Sequence, residues 1–385
     1  MTVLIPAVGD DITADDSLVA FALDRGTPLY VLGLMSLRER VREMSDRLTW
    51  PRGRLYFATM ANDHPAVLAE LAGLGLGACV NSMPHALLAL ESGFRPANVQ
   101  FTSTGTTVAD MRELLALGIS VNADSLGQLW QWGEVGGRRA GLRVNAASLG
   151  GGAPRDRIGV EAGQVTDVVA AAMERGVDVA GLHVYTGTNH PCAAAMLPTL
   201  DALFALAEAV PGVTYVNVGG GIGVDYAHNG VPFDLGSLGE RIRDCHRRLE
   251  AAVGRDITVI MEPGRAMTGP CGRFVTAVTD VKTLASVRYV AVDASVAMFP
   301  RPLQHPESPH RIKILRPGAP AGPDERTSQA VVVGRTTYSR DVLGQAQLPD
   351  DVRVGDLLVF DDAGAYCQSM ASRFLGQREP SFVLG

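Results

Sequence analysis

Four short segments carry residue types that do chemistry when they sit at strand ends. The apolar run Ile257–Met261 leads into Glu262-Pro263-Gly264-Arg265. A carboxylate at that point can act as a base, as a salt-bridge member or as the partner of a ring nitrogen. The run Thr214–Val218 leads into Gly219-Gly220-Gly221-Ile222-Gly223. Three consecutive glycines let backbone N–H groups turn toward one point and cradle an anion, usually phosphate. Glycine-rich turns also occur with no ligand, so this signal is weak by itself. The run Val179–Val184 carries His183 and continues Tyr185-Thr186-Gly187-Thr188. His183 is either a proton-transfer group or a strand-end histidine satisfied internally. Farther on, Asp362-Ala363-Gly364-Ala365-Tyr366 follows the run Leu357–Phe360.

Elements with a regular rhythm must hold these segments. Short β-rich runs recur at Leu55–Ala58, Ala78–Asn81, Asn98–Thr102, Ile119–Asn122, Gly141–Asn145, Val179–Val184, Thr214–Val218 and Ile257–Met261. Amphipathic stretches lie between them, among them Pro65–Ala72, Val108–Leu117, Val165–Glu174 and Leu197–Ala209. Thr107 and Asp110 predict a capped helix start, and Gly118 predicts its stop. Eight strands alternating with helices predict an α/β fold built on a (β/α)8 TIM barrel, with an open doubly wound sheet as the competing arrangement. In a barrel, function sits where the strands end.

After Gly272 the texture changes. Val275–Val281, Tyr289–Asp293, Ala330–Gly334 and Asp356–Asp361 read as strands with few convincing helices, and residues 316–324 read as a Pro/Gly-rich surface loop. The expected division is a barrel over residues 28–270. A mostly β domain, a sandwich or small barrel, would form from 1–27 and 271–385.

With 385 residues the chain is long enough for two such domains, and its 46% hydrophobic and 19% charged residues suit a globular protein. The net charge is -7 and the arginines are dispersed, which argues against a nucleic-acid partner. Five scattered cysteines with no CxxC spacing point to a reducing, cytoplasmic setting and to no metal site. No secretory signal and no membrane span are expected.

Taken together and in this order, the motifs resemble the fold-type III pyridoxal-phosphate (PLP) decarboxylases, the ornithine, diaminopimelate and arginine decarboxylase group related to alanine racemase. The resemblance runs from Thr27-Pro28-Leu29-Tyr30 to Phe382-Val383-Leu384. It implies that Gly219, Gly220, Gly221, Gly264, Arg265 and Tyr366 hold the cofactor phosphate, with Thr188 standing where the family usually has a serine. It implies that Glu262 pairs with the pyridine nitrogen, which makes the ring an electron sink. It places Arg301 and Asp341 on the substrate side. Ser82 and Asp293 also match.

The departures fall on chemistry. Met60 stands where the family carries the lysine that forms a Schiff base with PLP. Only two lysines occur in the chain, Lys282 and Lys313. Codon bias toward arginine explains scarce surface lysines, but neither arginine nor methionine can replace that amine. Thr337 stands for a cysteine that donates a proton in the partner subunit's active site. Tyr338 stands for the acid that reads a basic substrate's distal end, and Tyr185 for the histidine that stacks on the cofactor. Cys79 and His85 stand at acidic positions, and Thr106 at a common lysine. Changes this concentrated read as one repurposing.

The expectation is therefore a divergent decarboxylase-like lyase, leaning toward an enzyme. It would act on an amino-acid-like, carboxylated or phosphorylated small molecule. The candidate residues are Glu262, His183, Tyr185, His85, Arg301 and Tyr366, with Thr337 and Tyr338. PLP would be held only non-covalently, or another phosphate-bearing ligand or none would take its place. The alternatives are a catalytically silent homologue serving as a partner, and a PLP decarboxylase that tolerates methionine. The resemblance also implies a homodimer with shared active sites.

Overall fold

The computed structural model describes residues 11–150, 157–318 and 326–385. The chain forms two compact units. One comprises Val41–Gly223 and Pro232–Ala266, the other Met1–Arg40, Val224–Val231 and Met267–Gly385. Of the expected loop at 316–324, positions 319–324 lie outside the described residues, as do residues 1–10.

The first strand, β1 (Leu29–Leu32), belongs to the β-rich unit. The next eight, β2 (Gly53–Ala58), β3 (Gly77–Val80), β4 (Val99–Thr102), β5 (Ser120–Ala123), β6 (Arg139–Val144), β7 (Asp178–Val184), β8 (Tyr215–Asn217) and β9 (Thr258–Met261), pair in parallel and close into a barrel. Each lies within a few residues of its predicted run. The strands are short and mostly buried on both faces, as parallel barrel strands must be. The open-sheet alternative is excluded by the pairing of β9 with β2.

Helices between the strands follow the sequence signals. Val108–Leu117 starts in a capping box made by Thr107 and Asp110 and ends at left-handed Gly118. Ser82 caps the helix Met83–Glu91 by accepting the His85 N–H.

Inside the barrel, Tyr215 lies across its neighbours. A Cβ on Gly181 would sit 2.6 Å from the Tyr215 ring, and one on Gly141 would sit 2.0 Å from its hydroxyl. The ring thus crosses from β8 over β7 and β6, and its hydroxyl reaches Asn122 on β5 at 2.6 Å. Tyr56 on β2 lies over Gly77 in the same way, 2.4 Å from a Cβ there.

The second unit is an eight-stranded sheet containing β1, β10 (Gly272–Leu284), β11 (Val287–Val292), β12 (Ile312–Leu315), β13 (Thr327–Val333), β14 (Val342–Pro349), β15 (Leu357–Phe360) and β16 (Ser381–Leu384). Its order is β12-β15-β10-β11-β13-β14, with β1 pairing β10 and β16. A core of Tyr30, Phe274, Phe299 and Phe360 packs its face, with Phe274 and Phe299 stacked at 4.6 Å. Strands were expected at β10, β11, β13 and β15. The expected boundary at residue 28 assigned Leu29–Leu32 to the barrel, but β1 bonds antiparallel to β10 and parallel to β16. Residues 224–231 and 267–270 likewise fall with the β-rich unit.

Candidate active site at the barrel mouth

The barrel unit gathers its polar side chains at the C-terminal strand ends. Glu262, directly after β9, is buried. Its Oε1 accepts from Asn217 Nδ2 at 2.6 Å, and its Oε2 lies 3.3 Å from His183 Nε2. Burial pushes the Glu262 carboxyl up, but the facing His183 and hydrogen bonds from His183, Asn217 and Cys79 outweigh it. The carboxyl is left below the ordinary range. The Cys79 thiol is pushed well up, first by burial and then by Glu262.

His183 and Arg143 are register partners on adjacent strands. The Arg143 guanidinium lies 3.4 Å from Asp124 and 5.9 Å from the centre of the Tyr185 ring. Among the described residues, His183 Nδ1 and Arg143 Nε are buried with no hydrogen-bond partner. Arg143 Nε is a donor and His183 Nδ1 a donor or an acceptor according to its tautomer, so both leave polar capacity for a bound molecule at the strand-end mouth.

The glycine turn has the form that anion binding needs. Gly219 and Gly221 have positive φ values of 66° and 93°. A Cβ on Gly219 would come 2.3 Å from the Val184 carbonyl oxygen, and one on Gly220 would come 2.4 Å from that of Glu262. Only glycine fits at these positions, and the Gly219 N–H is held by the Asn217 side-chain oxygen at 2.9 Å, which fixes the turn. Arg265 Nη2 donates to Thr188 Oγ1 at 3.2 Å, which places the guanidinium and the exposed hydroxyl together.

Met60 sits in the single turn Thr59–Ala61 that follows β2. A Cβ on Gly264 would lie 2.9 Å from Ala61 Cβ and 3.0 Å from Ala58 Cβ, so this turn packs directly on the segment that carries Arg265. His85 lies beside it, 3.3 Å from Thr59 Oγ1 and 3.6 Å from Asp63. The structure thus brings Met60, His85, His183, Tyr185, Thr188, Gly219, Gly220, Gly221, Glu262, Gly264 and Arg265 to one end of one barrel.

The remaining candidates belong to the β-rich unit. Arg301 is 1% exposed. Its guanidinium lies 3.4 Å from the centre of the Tyr226 ring and donates to the carbonyl and hydroxyl of Ser308. Asp341 is also buried, and its carboxylate accepts from the N–H groups of Val296 and Thr336 and from the Thr336 hydroxyl. Both were expected to meet substrate. Both make internal hydrogen bonds within the β-rich unit, and Asp341 shapes the turn that carries Thr337 and Tyr338. Thr337 is exposed, whereas Tyr338 packs edge-on against Phe374 at 5.6 Å. Tyr366 is half-buried at a positive φ of 54°.

Sequence reasoning missed Gln100, Asn122, Arg143 and Asn217. Each is a polar residue at an inward position of an otherwise apolar strand, which was the available signal.

A model of the pyridoxal-binding domain of pyridoxal-dependent decarboxylases matches residues 34–269, more than half of the chain. The chain belongs to the pyridoxal-dependent decarboxylase family. Among similar proteins, the diaminopimelate decarboxylase of Methanothermobacter thermautotrophicus is 27% identical, over 95% of this chain and 88% of its own. That of Pseudomonas aeruginosa is 29% identical, over 91% and 85%. Among solved structures, a diaminopimelate decarboxylase from M. jannaschii in co-complex with L-lysine superposes with a TM-score of 0.86 at 23% identity, over 95% and 89% of the chains. A lysine decarboxylase from Selenomonas ruminantium reaches 0.84 at 21%, over 96% of each. For a chain of this decarboxylase family, one sequence fact stands out: the barrel unit contains no lysine.

Proposed function

We propose that this protein is a decarboxylase-family lyase that holds PLP non-covalently at the barrel mouth and acts on a carboxylated, amino-acid-like small molecule. The observation that carries this reading is the joint presence of the Gly219–Gly221 turn and an ionised, buried Glu262 beside His183. Of the two unpartnered buried atoms, Arg143 Nε fits a ligand oxygen, and His183 Nδ1 leaves a further polar site beside it. A bound PLP would supply an electron sink for the pair released when a carboxylate leaves as CO2.

The chain's own residues would divide the remaining work. The glycine turn, Arg265 and Thr188 would bind the phosphate. Glu262 would face the pyridine nitrogen and favour its protonated form, with His183 and Asn217 keeping the acid ionised. Tyr185, steadied by Arg143, would cover the ring face. His85 would hold or move a proton beside the Thr59–Ala61 turn. Met60 has no amine, so the barrel offers no covalent tether.

The test is direct. Protein mixed with PLP is desalted and its retained cofactor measured, then CO2 release is assayed over basic, acidic and aromatic amino acids. Retention of about one PLP per chain in free-aldehyde form, with CO2 release from at least one amino acid, supports the reading. No retention overturns it.

The burial of Arg301 favours a second reading, a binding or regulatory homologue without turnover. PLP retention with no CO2 release from any amino acid would select it. Homodimerisation with shared sites and a cytoplasmic location are proposed with either reading, from family membership alone.

A further inference from the structure

We infer that Asn217 is a positioning residue that locks the Glu262 carboxylate and the Gly219 turn into one unit. This deepens the binding reading above and rests on it for the role of the two parts joined. Asn217, on β8, is fully buried. Its Nδ2 donates to Glu262 Oε1 at 2.6 Å and to Gln100 Oε1 at 2.6 Å. Its Oδ1 accepts the Gly219 N–H at 2.9 Å. The Gly219 carbonyl accepts the Glu262 N–H at 2.8 Å. One side chain therefore closes a ring that contains the acid and the turn, and it uses both amide hydrogens and the amide oxygen to do so.

The orientation of the amide follows from a longer string. The Tyr215 hydroxyl donates to Asn122 Oδ1 at 2.6 Å, which leaves Asn122 Nδ2 to donate to Gln100 Oε1 at 3.2 Å and to Thr102 at 2.9 Å. Gln100 thus presents its oxygen to Asn217. A flipped Asn217 would set oxygen against the oxygens of Gln100 and Glu262, and its amino group against the Gly219 N–H. The string begins at a phenol and ends on a carboxylate that accepts, so each donor in it favours the anionic form of Glu262.

Exchange of the donor tests this on the protein without cofactor. Asn217→Asp keeps an oxygen for the Gly219 N–H but sets a second carboxylate against Glu262. The other titratable groups facing Glu262 are His183, Cys79, Tyr56 and Tyr215. The introduced carboxyl, buried beside an anion, has a raised pKa. Its favourable contribution is present at low pH and lost as pH rises. The Tm deficit of Asn217→Asp relative to wild type should be about 3 °C or more larger at pH 8 than at pH 5. Adding Glu262→Gln reverses donor and acceptor, and should remove most of that pH dependence. Asn217→Ala, which frees the turn, should weaken inorganic phosphate binding about tenfold, while Asn217→Asp should weaken it less than threefold at pH 5.

A pH-independent deficit in Asn217→Asp, or no rescue by Glu262→Gln, overturns the link to the acid. Unchanged phosphate binding in Asn217→Ala overturns the link to the turn. If Asn217→Ala does not fold, stronger phosphate loss in Asn217→Asp at pH 5 than threefold overturns it instead. Absence of phosphate binding by wild type would sink the cradle reading separately, and the Tm profiles would still decide whether Asn217 and Glu262 are coupled.

Discussion

Glu262 and His183 face each other across 3.3 Å, and both side chains are buried. The pair spans the ends of β7 and β9, with β8 between them, in a region where charge is costly, so its contribution depends on pH. The folded carboxyl of Glu262 is depressed. Its stabilising effect is present above the ordinary carboxylate range and is lost as pH falls through the depressed value. His183→Ala should cost about 3 kcal/mol at pH 7, and markedly less at pH 4, where the stranded carboxyl takes a proton. Urea unfolding at the two pH values checks this; an equal loss at both would refute it.

Met60→Lys should install the missing amine. With PLP present, borohydride treatment should then leave a mass adduct on the peptide that contains residue 60. Wild type should show no adduct anywhere in the barrel unit, which has no lysine. Peptide mass spectrometry decides it. If that peptide of the variant stays unmodified, this turn does not reach the cofactor.

Gly219→Ala adds a Cβ 2.3 Å from a carbonyl oxygen at a positive φ of 66°. The substitution should lower stability by more than about 1 kcal/mol from backbone strain alone. It should also reduce phosphate affinity at least tenfold. Calorimetry and phosphate titration measure the two effects. A stable variant with intact phosphate binding would remove the turn from the site.

Arg301 offers a test of where substrate binds. If its work is internal, Arg301→Lys should lose about 2 kcal/mol or more of stability, because lysine cannot reproduce the stacked, forked contacts to Tyr226 and Ser308. KM for any substrate found should change little in protein that remains folded. A stable variant with a raised KM would instead place the guanidinium on the substrate.

The barrel strands were legible because each is a short apolar run set off by turn residues, and Thr107, Asp110 and Gly118 announced one helix by local chemistry alone. The positions of the glycine turn and of Glu262 at strand ends were legible because each directly follows an apolar run, although neither residue type names its role alone. β14 was not, since Gly344, Gln345 and Gln347 interrupt its apolar pattern and its place is set by pairing with β13. The segment Leu29–Leu32 is apolar throughout, and only its long-range partners at Gly272–Val275 and Ser381–Leu384 decide which unit owns it. The internal partners of Arg301 and Asp341 were hidden for the same kind of reason. Sequence gives the residue type, but the partner that consumes its hydrogen bonds comes from the fold.

The tyrosine laid across three strands has a consequence for the amides above it. Tyr215 is bedded on Gly181 and Gly141, and its hydroxyl holds the Asn122 oxygen. A side chain at either glycine would lift the ring from its bed and release that oxygen, and the string of amides through Gln100 and Asn217 could then turn over. Two residues that touch nothing bound thus help set the direction in which Glu262 is held.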